Sequence, residues 1–112
     1  MSDQKNVLWF SRHMMTLGQI VELRKIFGSI KVTQISYPIQ HAKEVIKDIQ
    51  KSDVIALVAP LEIQKEFLEL SEDKPVLFCR NQRDHNGPNG FRHGGWFRIK
   101  KIDCEFEPLE KN

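Results

Sequence analysis

Val54-Ile55-Ala56-Leu57-Val58-Ala59 is an uninterrupted apolar run that ends at Pro60. Six residues are too few for a buried helix, and the absence of any polar alternation implies a strand covered on both faces. Such strands belong to sheets flanked by helices, so the segments on either side should read as helices. They do. Upstream, Ile39, Ala42, Val45, Ile46 and Ile49 recur at helical spacing, while Lys43, Glu44, Lys47 and Asp48 turn outward. Downstream, Leu61 to Leu70 places Ile63, Phe67 and Leu70 inward.

The same alternation continues outward in both directions. Ser29 to Ile35 predicts a second strand, with Ile30 and Val32 alternating with Lys31 and Thr33, and Ser36-Tyr37-Pro38 ends it. Before it, Thr16-Leu17-Gly18-Gln19 has the T-x-x-Q spacing of a capping box at a helix start. Leu17, Ile20, Val21, Leu23, Ile26 and Phe27 predict that helix's inner face. Gln19, Glu22 and Lys25 predict its outer face, and Gly28 its C-terminal cap. Val7-Leu8-Trp9-Phe10-Ser11 predicts the first strand and Pro75-Val76-Leu77-Phe78-Cys79 the fourth.

The last third differs. Residues 80–95 contain four of the six glycines and little apolar material, which predicts a sixteen-residue loop; loops of that length are commonly functional. Trp96 to Phe106 then resumes strand character, with Lys100-Lys101 marking a bulge or edge kink. No helix fits between strands 4 and 5, so strand 5 should return antiparallel beside strand 4. The whole predicts one α/β domain over residues 1–112. It is a three-layer, Rossmann-like or flavodoxin-like fold with a mostly parallel five-stranded sheet in order 2-1-3-4-5.

Composition agrees and excludes much else. The 112 residues are 40% hydrophobic and 29% charged, suited to one core and too apolar for wholesale disorder. No apolar run approaches the ~18–20 residues of a membrane span. The polar start, Met1 to Asn6, does not resemble a signal peptide, and Cys79 and Cys104 read as reduced core thiols, so a cytoplasmic protein is expected. Metal ligation is not expected, because His85 and His93 with Asp84 lack ligand spacing, and no cofactor is implied. The chain has no G-x-G-x-x-G, no G-K-[ST], no Cys-x-x-Cys and no G-x-S-x-G. These absences disfavour dinucleotide, P-loop, thioredoxin-like and nucleophile-elbow chemistry.

In open α/β sheets ligands bind beyond the carboxyl ends of the strands, where strand order reverses; here that is between strands 1 and 3. The chain places Ser11, Arg12 and His13 at that edge after strand 1, with Thr16 following. Ser36 and Tyr37 follow strand 2 there, and Pro60 and Glu62 follow strand 3. Arg80, Asn81 and Arg83 follow strand 4, and the long segment adds His85, Arg92 and His93. From Arg80 to Ile102 the net charge is +5, although the whole chain carries only +2. A basic rim of this kind suits an anionic nucleotide ligand. There Arg12 and Arg80 would hold phosphate and His13 would transfer protons in metal-independent phosphodiester cleavage. Bland readings compete: Arg12-His13 as a solvated turn, Thr16 as a helix cap alone, Tyr37 as a packed turn residue, Trp9 and Trp96 as core.

Strand 1 followed by Ser11-Arg12-His13-x-x-Thr16-x-x-Gln19, with Asp53-Val54-Ile55-Ala56 and Pro60, resembles small Rossmann-like α/β proteins of phages and mobile elements. More loosely, it is similar to small accessory proteins of CRISPR loci. The similarity spans roughly residues 7 to 83. It implies a homodimer and a site containing Ser11, Arg12, His13 and Thr16. It also implies a cyclic oligonucleotide as ligand, with ring-nuclease cleavage in some relatives. Two further readings follow from the residues alone. One is a protein-interaction module, an inhibitor or regulatory subunit, that uses the basic 80–95 segment. The other is an RNA- or DNA-binding protein, with Phe91, Trp96 or Phe97 stacking on bases.

Overall fold

The computed structural model describes residues 4–83 and 91–100, with the backbone alone described at 80–83 and 91–93. Elements alternate as the apolar runs require: β1 Lys5–Phe10, α1 Leu17–Phe27, β2 Ile30–Ile35, a 3-10 turn Ala42–Val45 leading into α2 Ile46–Lys51, β3 Val54–Leu57, α3 Leu61–Leu70, β4 Val76–Arg83 and β5 Phe91–Arg98. The sheet order is β2-β1-β3-β4-β5, parallel except for the antiparallel β4–β5 pair. This is the Rossmann-like α/β fold predicted from the sequence. Among the described residues no helix is long and apolar enough to cross a membrane.

All four residues of β3 are buried, as the opening run demands. Successive residues point to opposite faces. Leu8, Ile55, Leu57 and Val76 therefore pack with Val45, Ile49 and Phe67 beneath α2 and α3. Val7, Trp9, Val54, Ala56 and Leu77 pack with Leu23 of α1 on the other face. The capping box of α1 is formed in full. Thr16 Oγ1 accepts from Gln19 N at 3.2 Å, and Gln19 Oε1 accepts from Thr16 N at 2.7 Å. Gly28 closes the helix at φ +82°.

Three predictions are corrected. First, α1 is rotated from its predicted face. Gln19 is 6% exposed, whereas Leu17 is 77% exposed, and Val21 and Ile26 also face outward. The cause is the partner: α1 lies against β5, whose Trp96 presents two donors. Trp96 N donates to Glu22 Oε1 at 2.7 Å and Trp96 Nε1 to Gln19 O at 3.0 Å, while Gln19 Nε2 meets Cys79 Sγ at 3.2 Å. Donors partly withdrawn from water need acceptors, so polar residues of α1 turn inward. Second, the predicted helix beginning near Ile39 starts at Ala42 and opens with a 3-10 turn.

Third, the predicted 80–95 loop is largely a hairpin: 80–83 belong to β4 and 91–95 to β5. β3 pairs with β4 only as far as Leu77, so beyond it β4 pairs with β5 alone. A two-stranded ribbon has no core to impose an apolar alternation, which is why its sequence resembles a loop. An irregularity falls at Gly94-Gly95, two residues that span the interval of Arg80 alone, while the one predicted at Lys100-Lys101 reaches beyond the described residues. Gly95 has φ +119°, a backbone region that side chains other than hydrogen strongly disfavour. Strand 5 ends at Arg98. Predictions on His85, Lys101, Cys104 and Phe106 lie outside the described residues.

Candidate ligand pocket at the strand edge

The parallel strands end together, and the crevice between β1 and β3 opens into a cavity of about 230 Å³. Phe10, Ser11 and Arg12 line it from the end of β1, and Ile35 to Ile39 from the end of β2; Val58 and Pro60 come from beyond β3. This is the switch point that the sheet order predicts. Three of the sequence-predicted residues, Ser11, Arg12 and Tyr37, meet there.

Non-local hydrogen bonds hold the turn after β1. Ser11 N donates to Ile35 O at 3.1 Å, and Gln34 Nε2 to both Ser11 O at 2.8 Å and His13 O at 3.0 Å. Trp9 Nε1 also donates to His13 O, at 2.8 Å, and His13 N donates to Ser11 Oγ at 3.2 Å. Three side chains, those of Trp9, Ser11 and Gln34, and the backbone of β2 thus fix a three-residue turn. Ser11 is buried beneath it, and Arg12 is exposed at the rim. Arg12 is the sole charged residue of the lining, and no carboxylate pairs with it among the described residues. Arg12 thus supplies the one formal charge among the described lining residues.

The floor is apolar. Phe10 lies against Phe67 with ring centroids 5.5 Å apart, and Ile35 and Ile39 continue the same surface. Tyr37, 55% exposed, and Val58 stand at the mouth. An apolar slot with an aromatic ring and one cation suits a planar group carrying negative charge.

The remaining predicted residues sit elsewhere. His13 contributes backbone to the turn, its imidazole is exposed, and it does not line the cavity. Thr16 spends its hydroxyl on the helix cap. Arg80, Asn81 and Arg83 occupy β4, and Arg92 and His93 occupy β5, with Asn81 paired to His93 and Gln82 to Arg92. Burial pushes the Cys79 thiol up, with Gln19 opposing, so it is a weak nucleophile at neutral pH. No cluster of metal-ligating side chains occurs among the described residues. A larger groove of about 480 Å³, lined by Asn6, Lys31, Thr33 and residues of α2, opens beside edge strand β2, where the six-residue α2 is short.

One wall depends on carboxylates with no signal in the predicted site. The segment that follows Tyr37 is tied down by Glu44, whose Oε2 accepts from Gln40 N and His41 N, each at 2.8 Å. From α3, Glu66 Oε1 accepts from Ala42 N at 2.7 Å, and Glu66 Oε2 lies 3.3 Å from His41 Nδ1. The His41-x-x-Glu44 spacing hints at the first contact; nothing local marks the second. The His41 amide, then that of Gln40, holds Glu44 below the usual carboxylate range, and the Ala42 amide does the same for Glu66. A carboxyl depressed in the folded state contributes stability above its unfolded value, about 4.3, and that contribution is lost as pH falls through the folded value. Thermal stability should therefore drop on acidification below about pH 4.3. Glu66→Gln should flatten that drop, and equal slopes for the two proteins in a melting series from pH 7 to 3 would refute the wall contact.

Comparisons with protein-family models, curated proteins and solved structures find no match to this chain.

Proposed function

We propose that this protein is a binding module for a small anionic nucleotide, held at the carboxyl edge of β1 and β3. The observation that carries this reading is Arg12, which has no carboxylate partner among the described residues, at the mouth of a cavity at the switch point whose described lining is largely apolar and contains no acid. The ring of the ligand enters between Tyr37 and the Phe10–Val58 side, and its phosphate meets the Arg12 guanidinium. About 230 Å³ is smaller than the usual ~300–1,000 Å³ of a drug-sized site, which supports one nucleotide unit per chain; a cyclic oligonucleotide would engage through one unit. The reading is binding without turnover: among the described residues no imidazole lines the cavity to accept or return a proton.

Isothermal titration calorimetry with AMP, adenosine and inorganic phosphate tests it. Arg12→Ala should weaken AMP binding by about 10- to 100-fold, in line with the ~1.5–3 kcal/mol of a charge-assisted contact. Tyr37→Ala should weaken AMP and adenosine alike, by about fivefold or more, if stacking contributes ~1–3 kcal/mol. Both side chains are exposed, so melting temperatures should stay within a degree or two of the parent. Equal AMP affinity in the Arg12→Ala protein, or no binding by the parent, overturns the reading.

A further inference from the structure

We propose that two copies of this chain associate through β2, pairing antiparallel about a twofold axis at Val32 so that their sheets join into one. β2 is an edge strand: it pairs with β1 on one side, and among the described residues no strand lies on the other. The ladder to β1 fixes which backbone groups that edge presents. Lys5 N donates to Ser29 O at 2.9 Å and Ser11 N to Ile35 O at 3.1 Å, so the odd-numbered residues of β2 face β1. In an evenly spaced parallel ladder the alternate residues, Ile30, Val32 and Gln34, turn N–H and C=O outward. Gln4 Nε2 reaches the Ile30 carbonyl at 3.3 Å, which leaves that oxygen a second lone pair. An edge of this kind is a template for another strand unless a proline, a bulge or covering structure blunts it. β2 keeps an unbroken six-residue register with β1, contains no proline, and is exposed over residues 31–34. The opposite edge strand, β5, is bulged at Gly94-Gly95.

The single charge of β2, Lys31, selects the register. With the axis at Lys31, two ammonium groups would stand directly opposite each other, which is destabilising. With the axis at Thr33, Lys31 would oppose Ile35, a core residue. With the axis at Val32, Lys31 opposes Thr33 of the second copy, Ile30 opposes Gln34, and Val32 meets itself. Lys31 and Thr33 share a groove of about 480 Å³ with Asp48 and Lys51, so the second copy's Lys31 arrives on the face that carries Asp48. On the other face Val32, 36% exposed, is covered by its counterpart. A second copy brings the same bare edge, so one contact satisfies both, and an isologous contact closes at two chains. The twofold reverses strand direction, so the two strand-edge pockets open at opposite ends of the dimer. A contact one strand wide belongs to the small class of interfaces, below about 1,200 Å², so a dissociation constant of about 10–100 µM is expected.

Sedimentation velocity of the full chain from about 5 to 500 µM should show a concentration-dependent passage from monomer to dimer. Val32→Lys sets like charges at the axis and should raise the dissociation constant about tenfold or more; Val32→Glu should do the same. An equimolar mixture of the two variants should recover the dimer to within about threefold of the parent, because opposite charges then meet across the axis. Melting temperatures at the lowest concentration, where the parent is monomeric, should match the parent within a few degrees. If either charge impairs folding, Val32→Pro takes its place: it removes only an outward N–H, keeps the ladder to β1, and should weaken association as much. A parent that stays monomeric throughout overturns the proposal. So does association that these variants leave unchanged, which would place the contact elsewhere, and so does a mixture that fails to recover the dimer, which would move the axis off Val32.

Discussion

Trp9→Ala should destabilise the protein by about 3–5 kcal/mol in urea unfolding, the cost of removing a large buried side chain and leaving a cavity. Trp9 is 2% exposed on the α1 face of the sheet, and its ring meets Trp96 edge-on at 5.9 Å. Trp96 is in turn bonded to Gln19 and Glu22, so the pair joins β1, α1 and β5. The indole also reaches the site, since Trp9 Nε1 donates to His13 O. Trp9→Phe separates the two roles: it retains most of the packing and loses the hydrogen bond. It should cost about 1–2 kcal/mol in stability. It should also weaken AMP binding less than Arg12→Ala does, because Gln34 still holds the turn. A loss below about 1 kcal/mol for Trp9→Ala would contradict a single packed layer beneath α1.

The contrast between α1 and β3 indicates what a sequence conveys. β3 is apolar throughout and buried throughout, since a central parallel strand has the same apolar surroundings on both faces. From that run, its flanking helices and the right-handed rule for parallel connections, the sheet order follows. The Thr16–Gln19 box was equally legible because capping is local. The inward face of α1 was not. Periodicity assumes an apolar partner, and this helix packs on an indole N–H and a backbone N–H that lie more than 70 residues away in the chain. Gln19 and Glu22 are thereby turned inward, which leaves Leu17 and Val21 exposed.

The site was legible to the same degree and for the same reason. Residues directly at strand ends, Ser11, Arg12 and Tyr37, reach the pocket because topology alone puts them there. His13 is two residues farther from Ser11. Its direction is set by bonds from Trp9 and Gln34, which no spacing rule encodes. Arg80, Asn81, Arg83, Arg92 and His93 resemble rim loop residues in the sequence because polar ribbon strands and loops share a composition. Phe10, Val58 and Glu66 were missed for the opposite reason. The first two resemble ordinary strand residues, and the third an ordinary solvated position on α3.

The pocket floor depends on the second core layer, and Phe67→Ala tests that dependence. Phe67 of α3 is fully buried and backs Phe10 with a tilted ring contact at 5.5 Å. Truncation should cost about 3–5 kcal/mol and leave Phe10 free to sink into the vacated volume. Phe67→Leu, which keeps part of that volume, should cost about 1–2 kcal/mol. Ligand linkage then gives a second readout. AMP at about 100 times its dissociation constant adds roughly 2.7 kcal/mol to the folded state. That should return Phe67→Leu to at least the stability of the unliganded parent. It should not rescue Phe67→Ala, whose deficit is larger and whose floor no longer meets the ring. If Phe67→Ala, measured where it remains folded, bound AMP as tightly as the parent, Phe10 would not need its backing. The ring of the ligand would then have to rest on the Tyr37 and Val58 side alone.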